Sequence, residues 1–395
     1  MALDLQLSRR AALAAPALLL ATRTRAASAP FRIGFLGSYT GISASSGPEF
    51  DTAMDLVLKQ RGDTIAGRKV EILKRDSTGP APDVVRRLAQ ELVVRDKVDI
   101  ITGIDFTPNA LAAAGVSTQA KMPVFIVNAA TTGIIAKAPY MARFGFTTAQ
   151  VAVPLAQWCY GNGLRRMFTL ATGYGPGVEA STEFNKTFTA AGGTIVENIA
   201  LPLNNPDFSA YIQRVADTKP EAIFVFTPAG EQPVIMLKAL RDSGLLQKGL
   251  KFIATGDLTE ERVLDQLGDA ALGAVTGFHY SEAHPSAKNK AFVDAFYAMA
   301  PAGVRPNFVA CCTYDVFNAV YDVAEAQNGV LDPDKTMALI KGRSFESPRG
   351  PVVIEAKTRD ASQNIYIRRV ERVDGKLQNV EFQTIPMVAA PEALS

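Results

Sequence analysis

"MPVFIVNAATTG", residues 122–133, changes character halfway along. Val124, Phe125, Ile126 and Val127 form an unbroken apolar run, as in a strand buried on both faces, the pattern of a parallel sheet. Asn128, Ala129, Ala130, Thr131 and Thr132 follow, small or hydroxyl-bearing, and Gly133 closes them. In open α/β sheets, ligands sit beyond the carboxyl ends of such strands, where helix N-termini leave N–H groups unpaired. The fold then depends on whether the rest of the chain repeats this arrangement.

It does. "FRIGFLG" (31–37), "KVEILKRDS" (69–77) and "VDIITGI" (98–104) read as strands, with helices over 48–61, 83–96 and 108–120 between them. Val85, Leu88 and Leu92 mark one helical stripe. Four βα periods in about a hundred residues argue for a parallel sheet covered on both faces. A second series begins near Thr148: strands at 165–172, 194–203, 222–229, 251–257 and 273–280, with helices at 177–193, near 208–217 and near 232–243. Helical patterns return at 286–300 and 310–327. Two β-rich runs, "NIYIRRVERV" and "VEFQTI", close the chain around Asp374-Gly375, a hairpin signal.

Composition removes several classes of function. The 395 residues are 48% apolar and 20% charged, without a block of like charge, so no nucleic-acid surface is expected. Two histidines and three scattered cysteines are too few for a metal cluster, and the cysteines read as small buried hydrophobes. "LSRRAALAAPALLLATRTRAASAP" (7–30) has the basic, apolar and small-residue parts of an export signal, and Arg9-Arg10 suits a twin-arginine leader. Residues 1–29 are therefore expected to be removed by cleavage near Ala26–Ala29, leaving a protein outside the cytoplasm. Loss of 1–25 removes four arginines and one aspartate, which takes the formal charge from +2 to −1.

The strand ends share one chemistry. They carry "SYTGISASSG" (38–47), "IDFTPN" (104–109), the opening stretch, "GYGPG" (173–177), Pro228-Ala229-Gly230 and Gly256-Asp257. Each alone is ordinary capping or turn chemistry. Together they make a seat of hydroxyls and amides suited to a carboxylate without a full counter-charge. No nucleophile elbow, phosphate loop or H-E-x-x-H is present, and His279 and His284 read as loop or hinge residues, so no enzyme is expected.

The order and spacing of "IGFLGSYTG", "AGRKVEILKRDSTGPAPDVVRRLAQELVVRDKVDIITG", "QAKMPVFIVNAATT", "YMARFGFTTAQ", "YGPG", "LRDSGL", "TGDL" and "YDVFNAVYDVAEAQ" carry a resemblance. From about residue 31 to 380 the chain resembles the type I periplasmic solute-binding proteins of ABC transporters, in the leucine/isoleucine/valine-binding family. The resemblance implies an α/β fold of two Rossmann-like lobes with parallel sheets, joined by three hinge crossovers and closing over a small ligand. Lobe 1 is expected over 30–147 with 281–347, lobe 2 over 148–280 with 348–395.

Carried over by position, Thr107, Ala129, Ala130 and Thr131 hold the ligand carboxylate, Asp257 takes an ammonium or accepts from a phenol, and Tyr174 forms an aromatic wall. Ser46 and Ala229 stand where relatives often place aromatics, and Phe106 where small residues are usual, which implies a pocket roomier on one side and apolar on another. The expected ligand is a small carboxylate: a branched-chain or other apolar amino acid, then an aromatic acid. ABC permease subunits are the expected partners, no cofactor is implied and a monomer is expected. The alternative is a ligand-sensing regulatory receptor of the same fold, not coupled to transport.

Overall fold

The computed structural model describes residues 29–136, 138–204 and 207–391. Apart from Ala29, the expected export segment lies outside them.

The first sheet holds β1 (Phe31–Gly37), β2 (Thr64–Ile65), β3 (Arg68–Asp76), β4 (Ile100–Gly103), β5 (Val124–Ile126) and β6 (Met141–Arg143), in the order β2-β3-β1-β4-β5-β6. All its pairings are parallel except β2 with β3. Between its strands run α1 (Gly47–Arg61), α2 (Pro82–Val94) and α3 (Thr107–Ala120). The opening stretch supplies β5, all three residues of which are buried. Val85, Leu88, Ala89 and Leu92 form the buried face of α2, at the spacing that keeps side chains on one side of a helix.

The second sheet follows α4 (Thr148–Gly161), whose start is fixed by reciprocal bonds between Thr147 and Gln150, a capping box. Its elements are β7 (Arg166–Thr172), α5 (Gly175–Ala190), β8 (Thr194–Leu201), α6 (Phe208–Thr218), β9 (Ala222–Phe226), α7 (Glu231–Asp242), β10 (Lys251–Thr255), α8 (Glu261–Leu267) and β11 (Val275–Phe278). Strands β7 to β11 pair in parallel. The chain then returns to the first sheet through α9 (Ala287–Tyr297), α10 (Phe308–Glu325) and α11 (Pro333–Ile340). Phe308, Phe317 and Val320 of α10 share a core with Phe31, Phe35 and Phe50.

The last strands, β12 (Ser344–Ser347), β13 (Gly350–Ile354), β14 (Ala361–Val373) and β15 (Lys376–Val388), extend the second sheet in antiparallel fashion. Asp374 and Gly375 both have positive φ, 49° and 81°, as a tight two-residue hairpin requires. The β12–β13 hairpin is not legible in "ESPRGPVVIE", because arginine, glycine and proline interrupt the run that would announce a strand.

Three crossovers join the sheets: 144–147, 279–286 and 341–343. Buried groups tie them. His279 lies in the second, stacked on Phe146 with ring centroids 4.7 Å apart, and burial holds it neutral. Arg349 donates to Phe144 O and to Cys312 Sγ, the latter at 2.7 Å. All three cysteines are buried, and Cys312 thereby serves as a hydrogen-bond acceptor as well as a packing residue. Among the described residues no helix is long and apolar enough to cross a membrane, and no group of side chains could hold a metal ion.

Candidate functional site

The carboxyl ends of both sets of parallel strands face a cavity of about 40 Å³. Ser46, Phe106, Thr107, Ala130, Tyr174, Ala229 and Asp257 line it; so do Ser43, Asp105, Asn128, Pro176, Phe226, Pro228, Phe308 and Val309. Ala129 and Thr131 stand just behind. The small residues Ser46 and Ala229 share the wall with Phe226, Phe308 and Pro228.

The segment after β5 is held from below. Arg143, fully buried, donates to Ala129 O at 2.6 Å and Thr131 O at 2.8 Å, and pairs with Asp360 at 2.7 Å. Ala129 adopts φ 54°, and its N–H donates to Asp105 O at 3.1 Å, so that amide is already engaged. Thr107 and Thr131 share a hydroxyl–hydroxyl bond of 2.9 Å, and Thr131 N lies 3.3 Å from Thr107 Oγ1. This pair meets the start of α5: a Cβ on Gly175 would stand 2.9 Å from Thr131 Oγ1. A glycine is needed there so that the lobes can approach.

From the second sheet, Asp257 follows β10 and is 5 % exposed. Its Oδ2 has no hydrogen-bond donor, and burial pushes its carboxyl up to about 7, against the opposing pull of Thr255 and Arg368. Tyr174 packs on Phe226 at 6.2 Å between centroids. Its phenol is pushed up by burial and then by the charges of Asp257 and Asp105, so both acids address the same space. Among the described residues, no lysine, arginine or histidine lines the cavity. The arrangement offers hydroxyls, two carboxyls and aromatic faces, with no nucleophile–base pair of the kind acyl transfer requires.

Around this space the lobes touch. Ser43 Oγ lies 3.4 Å from Ala229 O, Thr132 N donates to Glu179 Oε2 at 3.0 Å, and Arg262 of α8 reaches Glu49 of α1 at 2.8 Å. Asp105, Asn128 and Pro228 belong to strand-end loops already singled out, so their position was within reach of sequence reading. Phe308 and Val309 start a helix distant in sequence and gave no such signal.

Two lobes of parallel sheet with strand ends converging on a cleft of hydroxyls, carboxyls and aromatic faces define a solute-binding class. The periplasmic binding protein family model matches residues 30–376, and the chain belongs to this family, as a solute-binding protein of the leucine/isoleucine/valine-binding type. The Leu/Ile/Val-binding protein homolog 6 of Brucella melitensis is 36% identical over 377 residues, 94% of this chain and 97% of that protein. A solute-binding protein of an ABC transporter from Rhodopseudomonas palustris BisB5, solved with 3,4-dihydroxybenzoic acid, is 45% identical with a TM-score of 0.88, over 92% of this chain and 99% of that one. Its counterpart from R. palustris HaA2, solved with p-hydroxybenzoic acid, is 38% identical with a TM-score of 0.88, over 91% and 98%.

Proposed function

We propose that the chain is the periplasmic substrate-binding component of an ABC importer, and that it delivers a small aromatic carboxylate to permease subunits. The observation that carries this reading is the cavity wall: Phe106, Tyr174, Phe226 and Phe308 surround a space that also holds the Thr107 hydroxyl. Aromatic faces take a flat ring by offset or edge contacts. The ligand carboxylate is assigned to Thr107, Ala130 and Thr131, with Ala129 shaping the turn beneath. Asp257, whose proton burial retains up to about pH 7, can stand as a neutral acid beside a ligand that brings no cation. The aromatic acids bound by the Rhodopseudomonas relatives support the same choice.

The cavity lies where the two lobes meet, so uptake is by the lobes parting and closing again, the hinge motion of binding proteins. The lobes are taken as 30–147 with 281–347, and 148–280 with 348–395. Export through residues 1–29 and action as a monomer complete the proposal.

A branched-chain amino acid is the second reading, favoured by the unpartnered Oδ2 of Asp257, which could receive an ammonium. Titration calorimetry with benzoate, 4-hydroxybenzoate, 3,4-dihydroxybenzoate, leucine and phenylalanine separates the two. We expect saturable one-to-one binding of at least one aromatic acid and none of leucine; leucine binding without any aromatic acid reverses the choice.

A further inference from the structure

Asp105 immediately precedes the N-cap of α3, yet the helix start carries no side-chain cap. Its backbone carbonyl is engaged, accepting from Ala129 N and from Asn128 Nδ2 at 3.3 Å. Its carboxylate is not. Asp105 is 8 % exposed, lines the cavity, and has no donor at hydrogen-bonding geometry on either oxygen. A buried acceptor left in that state costs stability until something supplies the donor. Ser38 stands beside it, and its hydroxyl, which also lies 3.0 Å from Ser77 Oγ, and its backbone N–H favour the charged carboxylate from one side only. Burial pushes the Asp105 carboxyl up to about 6; Ser38 moderates the rise and Asp76 adds to it. The Tyr39 and Tyr174 phenols feel its charge, and among the described residues no cation lines the cavity to neutralise it.

Its place in the sheet separates it from the hydroxyl pair. β4 lies between β1 and β5. Asp105 sits toward the β1 flank, beside Ser38, whereas the Thr107–Thr131 pair sits toward the β5 flank, against Gly175. An acceptor end and a hydroxyl end thus face one small space from opposite sides of a single strand.

We propose that Asp105 accepts a hydrogen bond from a hydroxyl carried on the ring of the bound acid, so that the preferred ligands are hydroxylated aromatic carboxylates. This rests on the aromatic-acid reading above. An ionised carboxylate is acceptor only, and a phenolic O–H is a donor that suits it. Benzoate would leave Asp105 desolvated and unpaired, and an unmet buried polar group is the strongest source of discrimination a pocket possesses.

The test is calorimetry on the wild type, Asp105→Asn and Asp105→Ala with benzoate, 4-hydroxybenzoate and 3,4-dihydroxybenzoate. Wild type should bind the better hydroxylated acid about 10- to 100-fold more tightly than benzoate, the range for a charge-assisted bond. Both variants should lose most of that preference and bind benzoate more tightly than wild type does, because no unpaired carboxylate then faces the bare ring; melting temperature and circular dichroism report that the fold is intact. A wild type that does not prefer hydroxylated acids overturns the proposal, as does a preference that survives in the variants or a variant that loses benzoate equally. In each of those cases the aromatic-acid reading stands. A wild type that binds no aromatic acid fails that reading, and this one with it.

Discussion

Asp257 shows how burial can ready a side chain for a ligand at the expense of the empty fold. Its carboxyl is raised to about 7, above the usual range of an exposed aspartate, because burial penalises its charged form. The folded chain therefore holds that proton more tightly than the unfolded chain. The stability this contributes is complete below about pH 4 and is lost as pH rises through 7. Asp257→Asn removes the loss, so the ligand-free variant should gain on wild type as pH rises, by roughly 3 kcal/mol between pH 5 and pH 8. Melting curves between pH 5 and 8 would show it, and a constant difference would refute the assignment. In the same variant, affinity for an aromatic acid should hold within a few-fold. A steep loss would mean that Asp257 meets a cation, which is the amino-acid reading.

At the scale of elements, the decisive contact joins α8 to α1. Arg262 Nη1 lies 2.8 Å from Glu49 Oε1, and the same guanidinium reaches Ser45 O and Glu260. Glu49 is fully buried, and its carboxyl is raised to about 8 by that burial despite the arginine. The pair exists only while the two lobes are together, so it adds to the stability of the closed arrangement and to nothing within either lobe. Arg262→Ala should enlarge the radius of gyration of the ligand-free protein in solution scattering and weaken ligand binding by about tenfold, the lower end for a hydrogen bond to a charged group. Unchanged scattering together with unchanged affinity would remove the latch from the account.

Across the whole molecule, the pair Arg143–Asp360 joins the edge of the first sheet to the chain entering β14, and a single bridge between these residues continues it. Side-chain exposures of 0 % and 4 % place the pair where losing one partner strands the other charge. Asp360→Ala should therefore destabilise the protein by about 3–5 kcal/mol in denaturant unfolding. Because Arg143 also carries Ala129 O and Thr131 O, affinity should fall in the same variant even where it is fully folded. A variant that is destabilised but binds as wild type would confine the pair to the scaffold.

The alternation of buried strand and amphipathic helix, the two-series architecture and the polar strand ends were all legible in the chain. Each depends on how a short segment divides its side chains between core and water: β5 declares itself in three apolar residues, and Asp374-Gly375 declares its turn through two positive φ angles. The composition of the cavity was readable only in part. Ser46, Thr107, Tyr174 and Asp257 follow strands and could be placed by that alone, whereas Phe308 and Val309 arrive on α10, which comes after the second parallel series in the chain and packs back on the first sheet. Asp105 lay within a stretch already singled out, but the left-handed turn at Ile104 (φ 63°) and the amide that Ala129 gives its carbonyl are what leave its side chain facing the cavity without a partner. Arg143 and Asp360 are 217 positions apart. Periodicity reports the environment of neighbours along the chain; which distant groups meet is settled by how the two sheets pack, and that packing brings together Arg262 with Glu49 and Arg143 with Asp360.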